Sequence, residues 1–195
     1  MLIQGIKSRP CYEPLRWDAT GTRHLLLIDQ ETIPAGAIAE DSSMLASIER
    51  WSVTRLDTDP HAQGDNQHSS MRRFQSKEHL LSQLPARLKN EIMGLRLYVI
   101  GTEDFLWDIA GVARQAGLGE QEIHLTHAGS KRRRVYCAHC RALNQDITKN
   151  ICVCTGCGAH LFVRDHFSRR LAAYMGVQVD AEVPGMLPPI EEIYP

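Results

Sequence analysis

Two Cys-x-x-Cys pairs, Cys137-Ala-His-Cys140 and Cys154-Thr-Gly-Cys157, are separated by 13 residues and constrain this chain more than any other feature of it. Each pair forms a tight turn whose two sulfurs converge on one side. Two such turns facing each other complete a tetrahedral four-thiolate site. Gly158 follows the second pair, where a positive φ lets backbone amides point towards sulfur. Four thiolates leave no open coordination position, so Cys137, Cys140, Cys154 and Cys157 are expected to hold a structural zinc ion. The same donor set would also hold a rubredoxin-type iron that carries one electron. Cys152 is a competing ligand, but pairing it with Cys154 leaves one intervening residue and a poorer turn, and Cys11 reads as an ordinary thiol. Clustering of five of the six cysteines within residues 137–157 favours metal binding over disulfides. His139 and His160 flank the pairs and are expected to stand beside the site or in solvent. His61 and His68 lie among Asp57, Asp59 and Asp65 with no spacing that fixes ligand direction, and read as part of a solvated loop.

Charge divides the chain in the same place. Residues 131–170 carry nine Lys and Arg against Asp146 and Asp165, a net of +7, while the whole chain is at −1, which leaves −8 for the remainder. A basic module about 40 residues long is therefore joined to an acidic body. Lys131-Arg132-Arg133-Arg134 before the first pair, and Arg164, Arg169 and Arg170 after the second, suit a nucleic-acid backbone, an acidic protein partner or plain solvation. The acidic body and the few interleaved aromatics (Tyr136, Phe162, Phe167) speak against nucleic acid. With 43% hydrophobic and 23% charged residues the composition is that of a globular protein. No window of 18 apolar residues and no secretory h-region occurs, so a cytoplasmic protein without a membrane span is expected.

The acidic body reads as α/β. Residues 23–28 form an apolar run of the kind found in a strand buried on both faces. A helix is expected over about 35–51, then a strand at 52–56 and a polar loop at 57–70. Ser76 opens a short helix expected to stop at Pro85, with a second short helix running to Met93. Residues 95–100, the turn at Gly101, a helix capped by Thr102 and ended by Gly117, and a strand at 123–126 make a βαβ unit, hence a parallel sheet. The expected division is an N-terminal segment (1–19), an α/β domain (20–130), a four-cysteine zinc ribbon (131–176) and a proline-rich acidic tail (177–195). Such a tail rarely folds alone, and is expected either to hang loose or to order on a partner.

These residues carry a resemblance. Tyr136 to Cys140, Cys154 to Gly158 and above all the run from Leu161 to Val177 resemble the C-terminal region of a small subunit of bacterial dimethylamine monooxygenase, over about 45 residues. The body resembles the nicotinamide-binding module of ferredoxin reductases of the phthalate dioxygenase reductase kind. Where those proteins place a glycine-rich turn after the first strand, Asp29-Gln-Glu-Thr-Ile-Pro34 stands here, and the late Cys-Gly-Pro is replaced by Gly101-Thr102. Asp29 and Glu31 put carboxylates where pyrophosphate oxygens would sit, which argues against NADPH binding. There is no Arg-x-Tyr-Ser flavin motif, residues 1–19 are too few for a flavin barrel, and the cysteine spacing is not that of plant-type ferredoxins. The fold class expected is thus a degenerate, ferredoxin-reductase-like parallel-sheet domain followed by a zinc ribbon.

The resemblance implies methylated-amine metabolism: a heteromeric, NADPH- and O2-dependent oxidoreductase that demethylates dimethylamine to methylamine and formaldehyde. This chain would be a non-catalytic docking subunit with no catalytic or cofactor-binding residue of its own. Flavin, iron–sulfur and haem or catalytic iron would reside in reductase and oxygenase partners. The alternatives are an electron carrier with iron in the four-cysteine site, and a nucleic-acid-binding zinc ribbon.

Overall fold

The computed structural model describes residues 8–30, 33–38, 48–53, 71–91 and 93–195. The chain divides into two compact units, residues 12–129 and residues 1–11 with 130–195. The first holds a five-stranded, wholly parallel sheet of β1 (Arg23–Ile28), β2 (Glu49–Val53), β3 (Met71–Phe74), β4 (Leu95–Gly101) and β5 (Ile123–His127), in the order β3-β2-β1-β4-β5. Alternation along the strands explains the unbroken apolar runs, because both faces are covered. Leu26 and Ile28 of β1 and Tyr98 and Ile100 of β4 pack with Leu15, Ala37 and Ile48 on one face. Leu25, Leu27, Leu97 and Val99 point the other way, towards α1 (Lys77–Lys89) and α2 (Glu103–Gln115). Those helices bury Leu80, Leu84 and Leu88, and Phe105, Leu106 and Ile109, each worth about 1.5–3 kcal/mol of transfer free energy.

The Ser76 hydroxyl caps α1 by accepting from the His79 amide at 3.2 Å, as its sequence predicts. The helix does not stop at Pro85, however, and runs on to Lys89. The proline forfeits one backbone bond on the exposed side, while Leu88 extends the stripe of Leu80 and Leu84 and holds the last turn down. The helix expected over 35–51 is also corrected, since Glu49–Trp51 belong to β2. Trp51 is 1% exposed, with its ring 4.9 Å from Phe74 of the neighbouring β3, and burial on a central strand overrides local periodicity there. Residues 39–47 of that expected helix, positions 54–56 of the expected strand, and the loop bearing His61 and His68 lie outside the described residues. At the end of α2, Gly117 takes φ +98° and the Leu118 amide reaches back to the Ala113 carbonyl at 3.1 Å, a left-handed C-terminal turn that favours glycine.

The second unit holds β6 (Arg133–Cys137), β7 (Leu143–Ile147), β8 (Ile151–Val153), β9 (His160–Ser168) and β10 (Ala173–Gln178), in the order β7-β6-β10-β9-β8. Neighbours are antiparallel except β10 and β6. The tail packs on this same unit. Backbone bonds join Val179 to His160, Glu191 to Asn150, and both Ile193 and Tyr194 to the Thr148 carbonyl. Tyr194 closes the end by laying its ring 3.7 Å from the Arg133 guanidinium carbon, and Tyr174 covers the opposite side at 3.8 Å. Arg133 also bonds Asp165 at 2.9 Å, a carboxylate that Arg9 shares. Among the described residues no helix is long and apolar enough to cross a membrane.

Candidate metal site

The sheet of the second unit builds the site from two copies of one device. Cys137 ends β6 and Cys154 follows β8, so each chain leaves a strand directly into its turn. In the first turn the Arg141 amide donates to the Cys137 carbonyl and the Cys137 amide to the Ala142 carbonyl, both at 2.9 Å. In the second, Gly158 donates to Cys154 and Cys154 to Ala159, again at 2.9 Å. The residue after each second cysteine takes a positive φ: +74° at Gly158, as the sequence predicts, and +69° at Arg141, which bears the same conformation without glycine's freedom.

These turns bring the sulfurs of Cys137, Cys140, Cys154 and Cys157 within 4.8 Å of one another. Cys137 and Cys157 stand 3.9 Å apart and Cys140 and Cys154 3.5 Å apart. A tetrahedral zinc with bonds of about 2.3 Å needs sulfurs about 3.8 Å apart, so the residues present fit a four-thiolate metal. All six cysteines are free thiols. Among the four thiols, burial raises Cys154, but amide bonds from Cys157 and Gly156 and the neighbouring Cys140 and Cys157 thiols outweigh it, and the group falls to about 6. For Cys140 the Ala142 backbone lowers the thiol, while burial and the thiols of Cys154, Cys157 and Cys137 push it up to about 12. A cation bound among the four sulfurs displaces whatever protons they carry.

Asn144 on β7 is the supporting residue that the motif does not reveal. It is 1% exposed, and its Oδ1 accepts from the Thr155 amide at 2.8 Å and the Thr155 hydroxyl at 3.0 Å. Its Nδ2 donates to the Val135 carbonyl at 3.2 Å and lies 3.8 Å from the Cys154 sulfur. It thus pins the second turn to the strand that leads into the first. Gly156 is required by crowding: a Cβ there would fall 2.8 Å from the Ala142 Cβ and 3.0 Å from the Cys140 sulfur.

The remaining sequence candidates lie outside this cluster. His139 is exposed, the His160 ring is 3.9 Å from Asp180, and Cys11 is exposed. Cys152 points away along β8, where burial first and then nearby Cys154 and Cys137 push its thiol up to about 11. The basic run is split by strand alternation. Arg133 is buried, while Arg132 lies 3.3 Å from Asp146 and Arg134 bonds Gln145 at 3.0 Å.

Among the described residues of the first unit, a carboxylate stands where a nicotinamide dinucleotide would place its pyrophosphate. The pyrophosphate of such a cofactor needs open amides beyond the carboxyl ends of β1 and β4, at the N-terminus of α2. Asp29 fills that place, 7% exposed, accepting the Thr102 hydroxyl at 2.8 Å. The hydroxyl expected to cap α2 is turned to this carboxylate and makes no cap bond. Tyr12 occupies the mouth beside it, donating to Glu103 at 2.9 Å, accepting from the Trp107 indole at 2.8 Å and stacking on His127. Gly101 is explained by Asp29 itself, since a Cβ there would meet the Asp29 Cβ at 2.5 Å.

A protein of Ectopseudomonas mendocina (strain ymp) described as "Heme-dependent oxidative N-demethylase delta subunit" is 39% identical over 117 residues, covering 60% of this chain and 67% of that protein. No solved structure matches. The family described as "Dimethylamine monooxygenase subunit DmmA-like" matches through its N-terminal domain at residues 4–123 and its C-terminal domain at residues 134–177. With both domains matched in order, the chain belongs to the DmmA-like family of dimethylamine monooxygenase subunits.

Proposed function

We propose that this chain is a non-catalytic docking subunit of a cytoplasmic, multicomponent dimethylamine monooxygenase that uses NADPH and O2 to form methylamine and formaldehyde. The observation that carries this reading is the closed four-thiolate cluster, whose two matched turns offer a cation four sulfurs and no fifth, open position. Bound there, zinc would crosslink β6 and β8 and make folding of the ribbon depend on metal. The acids at the α2 N-terminus, Asp29, Glu103 and Asp104, support assigning NADPH to another subunit. Flavin, iron–sulfur and haem are likewise assigned to reductase and oxygenase partners. The name of the Ectopseudomonas relative supports membership of an oxidative N-demethylase complex. In this reading residues 20–130 are a degenerate nicotinamide module and residues 131–176 the zinc ribbon.

Elemental analysis and a visible spectrum of the chain purified without added metal test the site. One zinc per chain and no colour are expected. About one iron, with absorption bleached by dithionite, would overturn the zinc assignment and make the chain an electron carrier. Cys154→Ser tests the role: the variant should lose metal and no longer co-elute with the other subunits. Full assembly by a metal-free variant would refute the docking function.

A further inference from the structure

The outward face of the second sheet carries a groove that the metal site does not use. Strand alternation turns Val135, Cys137, Leu161 and Val163 inward, and Tyr136, Phe162, Arg164 and Val177 to the other side, where they remain half-buried. Beside them the tail arches out, leaving a groove of about 490 Å³ walled by Phe162, Val177 and Val179 of the sheet side and Val183, Met186 and Leu187 of the tail. Met186 is 70% exposed and Val183 55%, although both belong to a segment hydrogen-bonded back to the sheet at either end. Exposed apolar side chains gathered around a concavity mark a binding surface more than a solvated one. Arg164 lines the same groove, and among the described residues it meets no carboxylate within ion-pair distance. The acid on the opposite wall, Glu182, is exposed and similarly unengaged among the described residues.

We propose that this groove receives an extended segment of another demethylase subunit, seating an apolar side chain between Phe162 and Met186 and presenting a carboxylate to Arg164. The inference rests on the docking role proposed above and names the surface that performs it. Charge selects the occupant. Arg164, half-buried on the groove wall and meeting no carboxylate among the described residues, gives a carboxylate of the occupant a fixed partner. Glu182 rejects a second acid at the far wall and sets the direction in which the segment lies. The groove supplies the anchor of a larger interface, with the apolar contact fixing affinity and the arginine fixing on-rate and salt dependence.

The test titrates the full chain with each of the other subunits of the demethylase, purified singly, and uses variants at exposed positions that leave the fold intact. Val183→Asp combined with Met186→Asp should weaken association about thirtyfold, the loss of one interface hot spot, while metal content and melting temperature stay at wild-type values. Arg164→Gln should bind more weakly at low salt and show a flatter dependence on ionic strength. Met93→Asp, on the other unit at a position 95% exposed, should bind like wild type. Wild-type affinity in the double variant, or an equal loss in Met93→Asp, overturns the groove as the docking surface. Failure of the unaltered chain to bind any other subunit would instead overturn the docking role itself.

Discussion

Asn144→Ala probes the link between the second turn and the first. The substitution removes the acceptor of the Thr155 amide and the donor to the Val135 carbonyl, both in a site where the asparagine is 1% exposed. Leaving a buried amide or carbonyl unmet costs about 1–3 kcal/mol, whereas the Thr155 hydroxyl is able to turn to water and is discounted. The two groups together come to about 3 kcal/mol. Because metal binding and folding of such a ribbon are one equilibrium, a loss of that size weakens metal binding about a hundredfold. Asn144→Asp separates the roles: it keeps the acceptor for Thr155 but removes the donor and sets a carboxylate near the Cys154 sulfur, so it should bind zinc at least as poorly as the alanine variant. Zinc competition against a chromophoric chelator at fixed pH gives the affinities, and thermal unfolding of the zinc form gives the stability. An Asn144→Ala protein that holds zinc within threefold of wild type and melts within 2 °C of it would show that the turns are positioned without this residue.

Arg133→Met keeps the apolar stem but loses two desolvated cation–π contacts, at about 1–2 kcal/mol each, and should speed amide exchange at residues 193 and 194 well beyond that at β9. Equal protection in mutant and wild type would show that the tail is held by its backbone bonds alone. Burial raises the Asp165 carboxyl, but bonds from Arg9 and Arg133 outweigh it, so its folded value lies below the unfolded one near 3.9. Its contribution is therefore complete above that unfolded value and disappears as pH falls through the folded one; Asp165→Asn should unfold with a flatter acid limb than wild type when both are followed by circular dichroism. Gly156→Ala should lower zinc affinity at least tenfold by pressing a methyl on Ala142 and Cys140, and Ala142→Gly in the same chain should restore part of it. Asp29→Ala should lower the melting temperature through loss of its bond to Thr102, with no shift of that temperature by NADPH in either protein.

The metal cluster was the most legible part of the sequence because its information is local. Two residues of spacing define each turn, a glycine follows the second, and the turn geometry alone aims the sulfurs. The apolar runs at β1 and β4 and the stripe on α2 were legible for the same reason: their period is written within a dozen residues. What escaped depends on distant partners. The strand Met71–Phe74 has two arginines among its four residues and exists because β2 lies beside it, with Arg72 stacked over Trp51. Pro85 signals a helix end, yet Leu88 outweighs it by packing in the core. Nothing near position 144 marks the asparagine as a support for Cys154, ten residues away. The tail, expected to hang loose or to order on a partner, is instead held by its own unit through Asn150, Thr148 and Arg133, none of which its own sequence reveals.

The two units share one economy of charge. In the first, a carboxylate occupies the end of a parallel sheet where the fold would otherwise gather phosphate, and Tyr12 seals the mouth. In the second, a cation that sequence alone would assign to a basic surface is drawn inward between two tyrosines and spent on holding the chain terminus. Counting charges along the sequence therefore overstates what each unit offers to a ligand: Asp29 and Arg133 neutralise features of their own chain. Among the charges left for partners, Arg164 faces the apolar groove beside the tail. On the docking role proposed above, such a subunit binds by shape and an ionic contact at Arg164, and the chemistry of electrons falls to cofactors assigned to its partners.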